Sequence, residues 1–550
     1  MSEYPHNMMD YEKTYSEFKW NVPEYFNFAT DVVDKWAEKP GKLALFWVDD
    51  HGSEVKRTFK EISTQSCRLA NVLKENGVNQ GDCVIIILPR LIEWWESMVA
   101  CIRMGAIISP GTVQLTAKDI EFRIKSAKAV AIITDESNAG KVDEIAANCP
   151  SLKTKLVVGK REGWINYQSA VESAPADFPV VKTKGDDGAL LFFTSGTTGY
   201  PKMTLHTHVS YPFAHKVTGK YWLDLREDDL HWNLSDTGWG KAAWSSLFGP
   251  WHQGTCLFVH HEVGKFNPKR MLELLQEYPI TTLCAAPTIY RMLVLEDLSQ
   301  YNFSSLRHCV GAGEPLNPEV IDTWRQHTGL TIRDGYGQTE TVLVLGSFPC
   351  LDVRQGSMGK PTPGFKVAII DETGAELPAG KEGDIAIEIE PEPPAGLFKE
   401  YWQDPLKTLS TRRGRWYVTG DRGVKDKDGY FWFVGRADDV ILTAGYRVGP
   451  FEVESALIEH PAVAESAVVA SPDELRGEIV KAFVVLAEGY EPSMELIKEL
   501  KEHVKKATAP YKYPREIEFI EQLPKTVSGK IRRVQLRQME RMKKNLPPLR

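Results

Sequence analysis

The sequence predicts an α/β protein: a large N-terminal domain of mainly parallel sheets carrying a β subdomain, then a small α+β C-terminal domain. Three observations predict it. Short β-branched runs alternate with longer helical patterns through the first half of the chain and beyond. From about residue 367 that alternation gives way to short strands set between glycine-rich turns, and from residue 438 a mixed group of strands and helices follows. A length of 550 residues allows two to four units of ordinary domain size.

Taken in order, the run 84–88 (Val-Ile-Ile-Ile-Leu) is apolar throughout and only strand length, so it reads as a strand buried on both faces, with a helix at 93–104 behind it. The pairs 129–134 with 139–148 and 282–285 with 288–298 repeat the unit, which implies parallel sheets covered on both sides and ligand sites at the loops after strand ends. Strands at 367–370, 384–390 and 430–434, with a turn at 371–374, form the β subdomain. Beyond Gly435-Arg436-Ala437-Asp438-Asp439 come a strand, a helix at 452–459, strands at 466–470 and 482–486, and a charged helix at 494–506. These features set two domains, 1–437 and 438–550, with the boundary at Asp438.

Lys plus Arg at 66 against Asp plus Glu at 74 gives a net charge of −8, which does not advertise nucleic acid or an anionic membrane as partner. The last fifty residues depart from that balance, with 14 basic and 5 acidic side chains, as suits a lobe that meets a phosphorylated ligand. Eight cysteines without CxxC spacing indicate neither a zinc knuckle nor a disulfide frame, so a reducing, cytoplasmic setting is expected. Neither a signal peptide nor a membrane span is expected. GxSxG and HExxH do not occur, which argues against a serine hydrolase or a zincin.

The segment Thr194-Ser195-Gly196-Thr197-Thr198-Gly199-Tyr200-Pro201-Lys202 follows an apolar strand and concentrates hydroxyls, glycines and one lysine. Glycines let backbone N–H groups approach phosphate oxygens, hydroxyls add donors, and a lysine supplies a mobile charge. The Walker spacing is absent, so this is not an ordinary P-loop NTPase.

Further motifs follow in a fixed order: Asp334-Gly335-Tyr336-Gly337-Gln338-Thr339-Glu340, then Gly420-Asp421, Gly435-Arg436, Gly445-Tyr446-Arg447 and Ser528-Gly529-Lys530. Together they resemble the ANL superfamily of adenylate-forming enzymes over nearly the whole chain. Met203, Ser235-Asp236-Thr237-Gly238-Trp239 and 508–515 bring it closest to the medium-chain acyl-CoA synthetases. That resemblance implies a large domain of two mainly parallel sheets and a mobile C-terminal domain. It also implies the activation of a carboxylic acid by ATP to acyl-AMP and then to acyl-CoA, with release of pyrophosphate and AMP.

By the same resemblance, residues Thr194 to Lys202 hold the phosphates of ATP, Asp334, Gly335, Tyr336, Gly337 and Gln338 bind the nucleotide, and Tyr336 among them flanks adenine. Thr339 contacts the α-phosphate, Glu340 holds Mg²⁺, Asp421 and Arg436 take the ribose, and Arg447 reaches the nucleotide. Lys530 enters the site to act in adenylation with Thr339, Glu340 and Lys202, and Asp438 is the hinge. Coenzyme A is assigned to Gln114, Ala444, Gly445, Tyr446, Arg476, Lys505, Tyr513, Pro514 and Arg515. Trp239 resembles the gating aromatic of the acyl pocket, with Gly311, Ala312 and Gly313 as its floor and Trp232, Trp244 and Trp251 in the same stretch. The expected substrate is a medium-chain, branched or cyclic acid of about four to ten carbons. An aryl-CoA ligase of the benzoate type and a carrier-dependent adenylation enzyme are the alternatives. A lysine acetyltransferase acting on Lys530 and an oligomeric assembly are further expectations.

Overall fold

The β-branched runs assemble into three sheets in the structure, a computed structural model that describes residues 5–194, 201–264, 266–314, 316–443, 446–473, 477–508, 510–526 and 530–547. In the first, Cys83–Ile87 lies between Ile107–Pro110 and Ala131–Asp135, all parallel, as continuous apolar strands require. Beyond Ile107–Pro110 come Gly188–Thr194 and then Lys202–Thr207, which folds back antiparallel so that Thr194 faces Lys202. The two-residue strand Glu400–Tyr401 completes that edge, opposite Leu205 and Thr204.

The second sheet has fourteen strands. Its parallel part runs through Leu43–Asp49, Cys256–His261, Leu230–Leu234, Thr282–Ala285, His308–Ala312 and Ile332–Gly337. Antiparallel strands then lead through Leu343–Gly346 and Ser357–Pro361 into Phe431–Arg436, Trp416–Lys425, Glu382–Glu388 and Val367–Ile370. The β subdomain is therefore a continuation of the second sheet, joined to it through Ser357–Pro361. In that junction Asp421 stands directly opposite Arg436.

The third sheet, of five strands, contains Ile441–Thr443, Val463–Asp473, Gly477–Leu486 and Glu516–Phe519, packed on Pro450–Ile458 and Met494–Ala507 around Val453, Leu457, Val480 and Leu500. Between the first two sheets the core holds Phe59, Trp94, Trp95, Phe248 and Trp251, all essentially without solvent contact. No helix among the described residues is long and apolar enough to cross a membrane.

Local chemistry moves several element ends. The helix expected at 139–148 is Glu136–Asp143 followed by a 3₁₀ turn at Ala146–Asn148, a common way to finish a helix. The helix expected at 288–298 is Pro287–Leu293, because Asp297 accepts the Ser299 N–H and starts a separate 3₁₀ turn. The strand expected at 466–470 extends over Val463–Asp473, drawn out by pairing along the whole of Gly477–Leu486.

Candidate active site

The strand Ile332–Gly337 delivers Tyr336 to the junction of the second sheet. Its hydroxyl donates to Asp421 Oδ2 at 2.6 Å. Gln338 donates from Nε2 to the same oxygen at 2.7 Å and to the Thr419 carbonyl at 2.9 Å. Arg436, paired across the strand, places Nη1 3.2 Å from Asp421 Oδ1. Asp421 is 4% exposed, and burial raises its carboxyl above the usual range against the pull of Arg436, Tyr336, Gln338 and Lys530. A buried carboxylate with four donors or charges converging on it is a preorganised acceptor site.

Within the strand Ile332–Gly337, Gly335 is obligatory, since a Cβ there would lie 2.3 Å from the Trp222 ring. Trp222 in turn donates to the Asp334 carbonyl at 3.1 Å. The buried Asp334 side chain accepts from Gly335 N at 2.8 Å, and burial pushes its carboxyl up to about 7. Neither Trp222 nor its packing carries a sequence motif.

The next loop carries Thr339 and Glu340. Gln338 N donates to Thr341 Oγ1 at 2.9 Å and Thr341 N to the Gln338 carbonyl at 3.2 Å, closing a tight turn. Glu340 Oε1 accepts from the Tyr401 hydroxyl at 2.7 Å, and the Glu340 carbonyl accepts from Phe398 N at 2.8 Å. Lys202 Nζ lies 5.3 Å from the Tyr401 ring centroid, and burial pushes its ammonium pKa down against the attraction of Glu340. Thr194 and Pro201 flank the phosphate segment. Ser195, Gly196, Thr197, Thr198, Gly199 and Tyr200 lie outside the described residues. Among the described residues no group of three or more His, Cys, Asp or Glu converges as a metal cage. One half-buried carboxylate beside phosphate-binding groups fits Mg²⁺, which takes one or two carboxylates plus substrate oxygens.

Lys530 belongs to the C-terminal unit. Its side chain is exposed, its backbone N donates to Thr526 Oγ1 at 3.1 Å, and its charge acts on Asp421, Glu314 and Lys241. Burial works to raise Glu314, yet Arg291, Thr288 and Lys530 hold its carboxyl below the usual range. Asn317 Nδ2 donates to Ser455 Oγ at 3.3 Å, a direct link between the two units. Asp438 is 41% exposed and lies 3.6 Å from Arg436 Nε, while Arg537 on the C-terminal helix Arg533–Lys543 pairs with Asp439.

At the acyl end, Ser235–Trp239 is stitched to the first sheet. Thr112 Oγ1 donates to Asp236 Oδ2 at 2.9 Å, and Gly238 lies so close to Thr112 that a Cβ would fall 2.0 Å from its nitrogen. Trp239 precedes the helix Gly240–Ala243, from which Lys241 Nζ donates to the Ala312 carbonyl at 2.8 Å. That bond ties the helix Gly240–Ala243, which follows Trp239, to the strand end carrying Gly311, Ala312 and Gly313. Trp244 is half-buried, stacked on His215 at 6.0 Å and tilted against Trp222. Trp232 packs on Phe258, and Trp251 donates to the Ala44 carbonyl; both are fully buried. Lys241 is a site residue that a sequence scan misses, because one lysine has no distinguishing pattern.

Of the residues assigned to coenzyme A, Lys505, Tyr513 and Arg515 come together. Lys505 Nζ lies 4.5 Å from the Tyr513 ring centroid and Arg515 Nη1 donates to the Tyr513 hydroxyl at 3.1 Å, with Pro514 buried between them in sequence. Gln114 is exposed on the N-terminal unit and makes no side-chain hydrogen bond to that cluster. Ala444, Gly445 and Arg476, and the side chains of Tyr446 and Arg447, lie outside the described residues.

The chain is similar to known proteins over nearly their whole length. The chain is 54% identical to the mouse protein named acyl-coenzyme A synthetase ACSM3, mitochondrial, over 98% of this chain and 94% of the relative. It is 52% identical to human acyl-coenzyme A synthetase ACSM4, mitochondrial, over 94% and 91%. The solved anthranilate CoA ligase AuaEII, in complex with anthranoyl-AMP, superposes with a TM-score of 0.88 at 32% identity, covering 96% of this chain and 99% of that one. Residues 32–402 match the model of AMP-binding enzymes and residues 452–530 that of the AMP-binding enzyme C-terminal domain, and the chain belongs to the AMP-binding enzyme family.

Proposed function

We infer that the protein is an acid–thiol ligase: it activates a carboxylic acid with ATP to acyl-AMP and transfers the acyl group to coenzyme A. The observation that carries this reading is the convergence of Tyr336, Gln338 and Arg436 on the buried Asp421 carboxylate, with Lys530 brought to the same cleft from the other unit.

In this reading Asp421 accepts the ribose hydroxyls and Tyr336 flanks adenine, which fixes one end of ATP. Thr339 and Lys202 then meet the phosphates, Glu340 holds Mg²⁺, and the metal when bound offsets phosphate charge. Lys530 supplies positive charge between the attacking carboxylate and the α-phosphate. No enzyme nucleophile is needed, so rate comes from orientation and electrostatics. Rotation about Asp438, at the junction of 1–437 and 438–550, would exchange Lys530 for the cluster of Lys505, Tyr513 and Arg515, which offers charge to the phosphates of coenzyme A. Acetylation of Lys530 would remove the charge that adenylation uses.

The acyl pocket is the space bounded by Trp239, Trp244, Lys241 and the strand end Gly311–Gly313. Bulky rings there suit a compact medium-chain, branched or cyclic acid of about four to ten carbons. The likeness to an anthranilate CoA ligase favours an aryl acid as the second reading. The compartment we propose is a reducing one, cytoplasm or mitochondrial interior, since all eight cysteines are free thiols and seven are buried.

The test is AMP release from ATP with a panel of acids (acetate, butyrate, 2-methylbutyrate, hexanoate, octanoate, cyclohexanecarboxylate, benzoate), each with and without coenzyme A. AMP release that requires both coenzyme A and a four-to-eight-carbon acid is the expected result. Benzoate alone giving turnover would select the aryl reading, and turnover independent of coenzyme A would overturn the ligase.

A further inference from the structure

We propose that His206 is a positioning residue for adenylation: through the Thr339 carbonyl it holds the loop of Thr339 and Glu340 in register with Lys202. The inference rests on the ligase reading above and concerns a residue that takes no part in it there.

His206 is 0% exposed, and its Nε2 lies 2.7 Å from the Thr339 carbonyl oxygen. A carbonyl only accepts, so Nε2 carries the proton and Nδ1 does not. Nδ1, 2.9 Å from Ser210 Oγ, then accepts the hydroxyl proton, and Ser210 Oγ accepts in turn from Thr207 N at 2.8 Å. The chain of donors has one direction, and it fixes both the tautomer and the plane of the ring. Tyr211 packs its ring edge on the imidazole at 4.7 Å and donates its hydroxyl to the Gly240 carbonyl at 2.9 Å.

Three features separate this bond from that of an ordinary satisfied core histidine. It crosses from the first sheet to the second, between residues 133 apart in sequence. It lies on the strand that begins at Lys202, and positions four apart in a strand share a face, so the strand sets about 13 Å between the phosphate lysine and the latch. Finally, the loop it holds is fixed on its other side by Tyr401 and Phe398, whose segment pairs with the same strand at Thr204 and Leu205. Thr339 and Glu340 are thus clamped from two sides onto one strand. Loss of the His206 bond frees the peptide that orients Thr339 while leaving the adenosine end, built by Tyr336, Gln338, Asp421 and Arg436, untouched.

The experiment compares acid-dependent ATP–pyrophosphate exchange, AMP affinity and melting temperature in wild type and three variants. His206→Phe keeps a ring and removes the donor. His206→Gln places an N–H near the Nε2 position, and His206→Asn places one near Nδ1. Expected is a fall of about tenfold or more in exchange kcat for His206→Phe and His206→Asn, with KM for ATP and AMP affinity within about threefold, and recovery to within about threefold of wild type in His206→Gln. Equal activity in the Gln and Asn variants, or wild-type exchange in His206→Phe, would overturn the proposal. If His206→Phe does not fold, the Gln and Asn pair decides alone, since both bury a carboxamide and differ in where the donor sits. Absence of acid-dependent exchange in wild type would instead count against the ligase reading.

Discussion

The two ends of the cleft are built differently. At the end proposed for adenosine, Asp421, Tyr336, Gln338 and Arg436 come from one sheet and are joined by direct bonds of 2.6 to 3.2 Å. At the other end, Lys530 arrives from a separate unit, exposed, and acts on Asp421, Glu314 and Lys241 through charge alone among the described residues. The difference teaches a division of labour. In the reading proposed above, recognition is preorganised in one folded body, whereas the charge that drives chemistry would be delivered by a second body and withdrawn with it.

The largest effect should come from acid, which attacks the preorganised body. Burial pushes His206, His208, His252 and His308 down to about 4 and His231 to about 3, and lowers His215 as well. A folded pKa below the unfolded value gives stability that is full above about pH 6.5 and lost as pH falls towards 4, about 3 kcal/mol for one such group. Asp334 and Glu96, both raised to about 7 by burial, work the other way, their contribution being lost as pH rises from 4 to 7, but they are two such groups against six lowered imidazoles. All fifteen tryptophans precede residue 433, so their fluorescence reports the N-terminal unit alone. Cooperative unfolding by that signal between about pH 6 and 4 is expected. A native spectrum at pH 4 would contradict the burial of neutral imidazoles.

Asp421→Ala should come next, with AMP affinity falling by about 10- to 100-fold in a calorimetric titration, since three partners lose their shared acceptor. Affinity within twofold of wild type would break the comparison at its preorganised end. Glu340→Gln should raise the Mg²⁺ concentration needed for half-maximal pyrophosphate release by about tenfold, read from a metal titration. The smallest effect belongs to Tyr336→Phe, which removes only the hydroxyl donated to Asp421. A two- to fivefold loss in AMP affinity is expected, roughly 0.5 to 1 kcal/mol; a loss as large as that of Asp421→Ala would mean that the ring itself is displaced.

The sequence makes the end proposed for adenosine legible because its residues stand in short motifs, Tyr336 and Gln338 two apart and Asp421 directly after Gly420. The alternation of strands and helices likewise foretells the parallel sheets. What it leaves hidden are contacts across sheets. His206 and Thr339 are 133 residues apart, Tyr401 and Glu340 61, and Trp222 and Asp334 112. No local periodicity reports such pairs, because they arise only when elements far apart in the chain pack together. The same reason separates Trp239 and Trp244 from Trp232 and Trp251: neighbours in sequence, the first two are half-buried and the last two fully buried. The continuity of the β subdomain with the parallel sheet is hidden too, since Ser357–Pro361 pairs with Phe431–Arg436 far along the chain.

The most direct test of the division between the two ends is Lys530→Ala measured in both half-reactions. Acid-dependent ATP–pyrophosphate exchange should fall by about 100-fold or more, while AMP affinity and the conversion of supplied acyl-AMP and coenzyme A to thioester stay within about threefold. An equal fall in both half-reactions, or exchange at the wild-type rate, would contradict a catalytic charge delivered to a preformed nucleotide site.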